Sequence, residues 1–495
     1  MYSDSTKGLA QRLQDLGLGQ QPQELEEENP SETSRTEPTS GPNASAAEAI
    51  SDQQEGSEQA ALSRLKHVLF GRPDADPATK SDPSAPGTSG RETLSVDLRR
   101  RIANSKSQLE TLPSELKRHI AAFADSTTRN NLRLVSKNMR AAADESVTER
   151  TLKDPQGIER VLKFTAVRDI HIEGNQFTDT DVQRLLSKLP QSTTSLSFES
   201  CNRLTDAAFD NLPKQVRTLK VNSSNNLTHL GNADVSNLQV LEVAGDEFTD
   251  AALADKDLKN LQKLRLSGDQ FTNDVLANKN LEKLEDLEIQ GAKFTDAALA
   301  SKNLENLQKL RLLGNGFTNA ALASKNLEKL KNLEIQGEGF TDAALADKNL
   351  KNLETLYLTG EGFTGIALAN KDLKNLKELA LSGHEFRDVA LAGMDLKNLK
   401  LLVLEGDEFT DAALKDKDLK NLETLALSGE GFTHAALEDK DLKNLKFLQL
   451  IGDGFSPDFL SKRKMPNLKS LFVEGEKFTP FEKDMLNADF FDPDF

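Results

Sequence analysis

Few residues of this 495-residue chain have the type and spacing that chemistry requires. Cys201 is the single cysteine. A thiol becomes a nucleophile only where a base or cation lowers its pKa, and no histidine is positioned by sequence to do so. Cys201 is expected to fill a core position, since an unpaired cysteine behaves as a small hydrophobe, and it excludes an intramolecular disulfide framework. The six histidines are scattered, with no pair at i, i+3 or i+4, so a zinc site is not expected. A column of acids recurs from Asp246 and Asp269 through Glu338, Glu361, Asp407, Glu430 and Asp453 to Glu476, interrupted by Ala292, Asn315 and His384. Calcium wants about six or more oxygens in one place, and one carboxylate per position suits a solvated turn instead. No phosphate-cradling loop is present. The chain is therefore expected to be no enzyme, with no catalytic residue, no metal and no cofactor.

The elements that would position any such residue repeat. Phenylalanine recurs every 23 residues from Phe248 to Phe478 without a slip, and a glycine stands three residues before each, from Gly245 to Gly475. Leucine occupies the position ten before each Phe (Leu238 to Leu468) and seven before (Leu241 to Leu471), with Leu, Ile or Val five before (Val243 to Val473). The last two columns alternate with period two, which predicts a short strand whose apolar residues turn inward, ended by a glycine turn. Thr after the Phe is placed to cap a short helical turn in TDAALA. One such coil buries too little to order itself. Stacking at about 4.8 Å pairs each strand with the next and aligns the phenylalanines, so repetition is the condition of stability.

LxxLxL followed by a turn resembles the leucine-rich repeat, over residues 170–478. Three irregular coils, VRDIHIEGNQFTD, TSLSFESCNRLTD and RTLKVNSSNNLTH, precede eleven regular ones, which makes fourteen. The resemblance implies an α/β solenoid with parallel strands on a concave face and short helical turns on a convex one. That family usually carries Asn, Cys or Thr two residues before the Phe position, as a side-chain ladder between coils. Here only Asn315 of the regular coils fits, and Cys201 falls in that column of an irregular one.

Upstream, residues 1–106 are rich in Ser, Glu, Gln, Pro, Gly and Thr and are expected to be a disordered arm. Within it SEQAALSRLKHVLFG sets Ala61, Leu62, Leu65, Val68 and Leu69 at helical spacing. Residues 107–150 change to a helical pattern. Leu112, Leu116, Ile120 and Phe123 share one face, with Pro113 tolerated in the first turn, and Leu132, Val135, Met139 and Ala143 share another. LPxEL with Ile120, Phe123, Leu132 and VSKxMR resembles the F-box, which docks on the Skp adaptor of cullin-RING ubiquitin ligases. The resemblance implies that Leu112, Pro113, Leu116, Ile120, Leu132, Val135 and Met139 form an adaptor-binding surface. The alternative is a helical cap on the first coil of a plain leucine-rich binding or inhibitory protein. Residues 151–237 hold the irregular coils, 238–477 the regular ones, and 478–495 a Phe-rich cap broken by Pro480.

The net charge of −17 argues against nucleic acid, and no window is apolar enough for a membrane span. The N-terminus lacks the pattern of a Sec signal. Together with repeats that carry DAALA after the strand, as at residues 250–254, 296–300 and 342–346, this resembles GALA-type F-box effectors that plant-pathogenic bacteria inject into host cells. It implies a substrate receptor delivered by a non-Sec route into host cytoplasm or nucleus, the alternative being a cytoplasmic protein. Within that reading the concave face should hold the target. Residues eight, six and four before each Phe point outward, and Arg265, Glu288, Arg311 and Glu334 alternate in charge along it. As exposed pairs they are expected to contribute only about 0–1 kcal/mol each. Further on, Tyr357, Leu401, Val403, Phe447, Ile451 and Phe472 point outward, and exposed apolar surface usually marks an interaction site. The alternative is that the C-terminal cap or the N-terminal arm folds over them.

Overall fold

A computed structural model describes residues 112–124, 129, 132–134, 136–222, 226–461 and 464–479. The N-terminal arm, its 57–71 amphipathic stretch, Val135 and nearly all of the C-terminal cap lie outside the described residues. The described chain forms two compact units.

The first unit is helical. α1 (Ser114–Phe123) begins directly after Pro113, whose missing N–H costs nothing there. Arg129 closes the other end by donating to the carbonyls of Ala121 and Ala124 at 3.1 and 2.8 Å. α2 (Lys137–Glu145) is capped by Ser136, whose Oγ accepts from Met139 N at 3.2 Å. The two helices close on Ala121, Leu132, Met139, Ala142 and Ala143, with Leu112, Ile120 and Ala124 packed against them. Phe164 belongs to the same unit, and the guanidinium carbons of Arg133 and Arg150 lie 5.4 and 4.8 Å from its ring centre.

The second unit is the solenoid. Its sheet has fifteen strands in strict chain order, from β1 (Glu149–Leu152), β2 (Asp169–Glu173), β3 (Ser195–Glu199), β4 (Thr218–Asn222) and β5 (Val240–Ala244) to β15 (Ser470–Glu474). β2 to β15 pair in parallel without register slip. Fourteen of these are the strands that the sequence columns give. β1 is additional: ERTL follows the second helix directly and lacks the LxxLxL frame that marks the others.

Behind the sheet, Phe248 to Phe432 form a continuous stack with ring centres 5.8–6.5 Å apart. The glycine column exists because successive coils touch there. A Cβ on Gly268 would stand 2.4 Å from the carbonyl oxygen of Gly245. TDAALA folds as a single 3-10 turn, with the Thr oxygen accepting two residues on, as from Thr318 to Ala320 N.

Three side-chain ladders tie the coils together from columns other than the one that the sequence resemblance implies, which bonds only in part. Asp two residues after the Phe accepts both N–H and O–H from the Thr of the next coil, as Asp250 does from Thr272 at 2.8 and 2.6 Å. Asn in the KNL segment before each strand reaches back to a carbonyl of the preceding coil, as from Asn421 to Lys397 at 2.7 Å. A lysine eight after the Phe does likewise: Lys325 Nζ donates to Ala300 and Lys302 carbonyls at 3.2 and 2.8 Å. Burial pushes the pKa of these lysines down. The acidic turn column is exposed, as expected, but in part also bonded. Asp269, Asn315, Glu361 and Asp453 accept from the backbone of the following coil.

Candidate binding surface

Parallel pairing without slip sets equivalent side chains shoulder to shoulder across the sheet face turned away from the phenylalanine stack. The central column of that open face runs Lys220, Glu242, Arg265, Glu288, Arg311, Glu334, Tyr357, Ala380, Val403, Ala426, Gln449 and Phe472. Its first half is charged and its second half apolar except for Gln449.

The charged half is not the loose set of surface pairs that the sequence suggests. Glu242 and Glu288 are buried. Arg311 lies between two carboxylates, with Nε and Nη2 to Glu334 at 2.6 and 3.1 Å and Nη1 to Glu288 at 2.9 Å. Burial alone would lower the Arg311 pKa, but Glu334 and Glu288 outweigh it and push it up. Arg265 Nε meets Glu288 from the other side at 3.0 Å. Lys263 bridges Glu242 and Asp286 at 3.0 and 3.6 Å. Burial favours neutral Glu242, yet Lys263 and Lys220 hold its pKa below the usual range, whereas for Asp286 burial wins and its pKa rises. Long side chains about 4.8 Å apart in register exclude water from one another, which period-two counting cannot reveal.

Tyr357 joins the two halves. Its ring packs against the apolar cluster of Ala380, Leu401, Val403 and Ala426, while its hydroxyl donates to Glu378 Oε2. Burial, then the Glu378 charge, push its pKa up. The chain has only two tyrosines and no tryptophan, which makes the effect measurable. In an alkaline titration followed at 295 nm, the Tyr357 signal should appear only with unfolding, and Tyr357→Phe should remove it. Since the folded pKa is the higher one, the stabilisation from Tyr357 is complete below pH ~10 and is lost as pH rises above it. Two equal ionisations near pH ~10 in the folded protein would contradict this geometry.

The apolar half lies where the count from the phenylalanines places it, but it is not the open surface expected. Leu401, Val403 and Phe447 are 7, 1 and 7% exposed, Tyr357 and Ile451 are half-buried, and only Phe472 in β15 is exposed, at 37%. Cys201 is buried, as expected, with its sulfur near the carbonyls of Ile172 and Glu199, and burial raises its thiol pKa to about 11. Among the described residues no group of three or more His, Cys, Asp or Glu is arranged to hold a metal ion, and no helix is long and apolar enough to cross a membrane.

In the helical unit, the residues implied by the F-box resemblance separate by burial. Leu132 and Met139 are core, and Leu112 and Ile120 are half-buried against that core. Pro113 is exposed and Leu116 is 41% exposed. Val135 falls outside the described residues. Leu134, which the helical spacing leaves off either apolar face, is 80% exposed, more than any other large apolar side chain among the described residues. The signal was present in the apolar alternation LRLV, of which only Leu132 and Val135 fitted the helical face.

No protein-family profile and no curated protein matches the chain. Among solved structures it is similar to the yeast complex of Rad7 and Elc1, at 16% identity over 78% of this chain and 98% of that one, with a TM-score of 0.42. It is also similar to the circular leucine-rich-repeat protein CroV588, at 16% identity over 63% of this chain and 47% of that one, TM-score 0.36. A third is TLR13 in complex with ssRNA13, at 15% identity over 68% of this chain and 56% of that one, TM-score 0.33. Its own register, LxxLxL columns and stacked phenylalanines make it a leucine-rich-repeat solenoid.

Proposed function

We propose that this chain is a non-catalytic substrate receptor that links a target protein to a Skp-cullin-type ubiquitin ligase. The observation that carries the reading is the division between its two units. The helical unit keeps a core of its own around Leu132 and Met139, yet turns Pro113, Leu116 and Leu134 to solvent. Exposed leucines on so small a unit are surface that a partner covers. The solenoid offers a long sheet face with distinct chemistry at its two ends, suited to holding a protein. Delivery into a host cell by a non-Sec route, with action in its cytoplasm or nucleus, belongs to the same proposal and rests on the arm composition and the DAALA repeats. Retention of the full chain on an immobilised Skp adaptor tests it. Wild type should be retained and Leu116→Asp with Leu134→Asp should not, with the circular dichroism unchanged. Equal retention of both proteins, or of neither, would leave the helices as a structural cap and the chain as a plain binding or inhibitory protein.

A further inference from the structure

Positive charge is scarce on the open face of this acidic solenoid, and it is concentrated in one place. β2 and β3 bring Asp169, Glu173 and Glu199 to that face. β9 (Asn332–Gln336) to β15 bring Glu334, Glu378, Glu405 and Glu474, and neither stretch brings a Lys or Arg. Between them, β4, β6 (Lys263–Ser267) and β8 (Lys309–Leu313) carry Lys220, Lys263, Arg265, Lys309 and Arg311. Over β4 to β8 these five cations stand against Glu242, Asp286 and Glu288. The excess lies at the β4–β6 end, because Arg311 is also held by Glu334.

There, three cations gather round one acid. Lys220 and Lys263 Nζ both face Glu242 Oε1, at 3.4 and 3.0 Å, and Arg265 is the in-register neighbour of Glu242 in β6. The acid lies beneath and the cations lie on top: the Glu242 side chain is 7% exposed, against 39, 33 and 36% for Lys220, Lys263 and Arg265. Burial would lower the Lys263 pKa, but Glu242 and Asp286 outweigh it and keep the ammonium charged. Beyond Nε, which faces Glu288 at 3.0 Å, the Arg265 guanidinium has no acidic partner among the described residues. Like charges held this close repel one another unless an anion lies over them. The set also has the donors that a carboxylate takes, since a guanidinium fork binds it through two parallel bonds and the ammonium groups act as point charges. Acids on both sides of β4–β8 repel an anionic partner from the rest of the face, so such a partner is steered to this one position.

We propose that Lys220, Lys263 and Arg265 are where the solenoid holds its target, through a segment of that protein rich in Asp and Glu. The assignment deepens the receptor reading and rests on it for the existence of a target, but its measurement involves no adaptor, so the two fail separately. The probe is a fluorescein-labelled oligo-glutamate peptide, added to the full-length protein at low salt and followed by fluorescence anisotropy. Wild type should bind it saturably, and binding should weaken steeply as salt is raised. Lys220→Gln with Arg265→Gln should weaken binding about ten-fold. The melting temperature should not change, because Lys263 still holds Glu242 and Arg311 still holds Glu288. Lys374→Gln with Lys397→Gln removes the same charge from exposed side chains outside the open face and should leave binding unchanged. Should the first variant melt early, Lys220→Gln alone takes its place and should weaken binding several-fold. No binding by wild type, equal binding of an oligo-lysine peptide, or equal affinity of the two double variants would overturn the assignment. Tighter binding of a single-stranded DNA oligonucleotide of the same charge would give the cluster to nucleic acid and overturn it as well.

Discussion

Phe340→Ala is expected to lower stability by about 3–5 kcal/mol, and to do so locally. Phe340 is fully buried, with the rings of Phe317 and Phe363 each 6.5 Å away. Removing it breaks the stack in two places and leaves a cavity that neighbouring coils, pinned by their glycine contacts, cannot collapse into. Each coil touches only the next, so stability is a sum of coils and their interfaces. Hydrogen exchange should lose protection first in β9 (Asn332–Gln336) and β10 (Thr355–Thr359) on either side of the cavity, while β4 and β13 (Thr424–Ser428) keep theirs. Uniform loss along the whole sheet would show a single cooperative unit and contradict the nearest-neighbour account.

The second large effect concerns Arg311. Arg311→Ala should cost roughly 3–5 kcal/mol, because it strands Glu288 and Glu334 with no shared cation in a site they cannot readily hydrate. The triple replacement Glu288→Leu, Arg311→Leu and Glu334→Leu should lie much closer to wild type, since an apolar set of similar size carries no desolvation penalty. Chemical denaturation of the two variants separates the possibilities. A loss below about 1 kcal/mol for Arg311→Ala would mean that these groups behave as the exposed pairs their sequence suggests.

The contrast shows what the sequence makes legible. A phenylalanine, a glycine and three leucine columns at fixed spacing define every strand from β2 to β15, their inward faces and the aromatic stack, because burial in a repeat demands the same residue at the same place in each coil. The same columns assign Arg311 and Val403 to the opposite face, correctly. They do not say how much water reaches that face. That depends on which side chains stand beside one another across coils 23 residues apart, and on what else covers them. Arg311 between Glu288 and Glu334 is one such case, and Val403 between two alanines is another. The ladders were hidden for a different reason. The resemblance directs attention to the turn before the phenylalanine, whereas Asp250, Lys325 and Asn421 bond between coils from positions that read as ordinary polar surface. In the helical unit, spacing identified the core side of α1 and α2 well. It could not separate a leucine that holds the helices together, such as Leu132, from one that is turned outward, such as Leu134.

The central claim is that the helical unit binds an adaptor through its exposed leucines, and titration calorimetry of the full-length protein with a purified Skp adaptor tests it most directly. The account predicts a saturable one-to-one complex, lost in Leu116→Asp with Leu134→Asp and kept in Leu401→Asp on the solenoid. Absence of binding heat from wild-type protein whose circular dichroism shows it to be folded, or undiminished binding by the double variant, would contradict it.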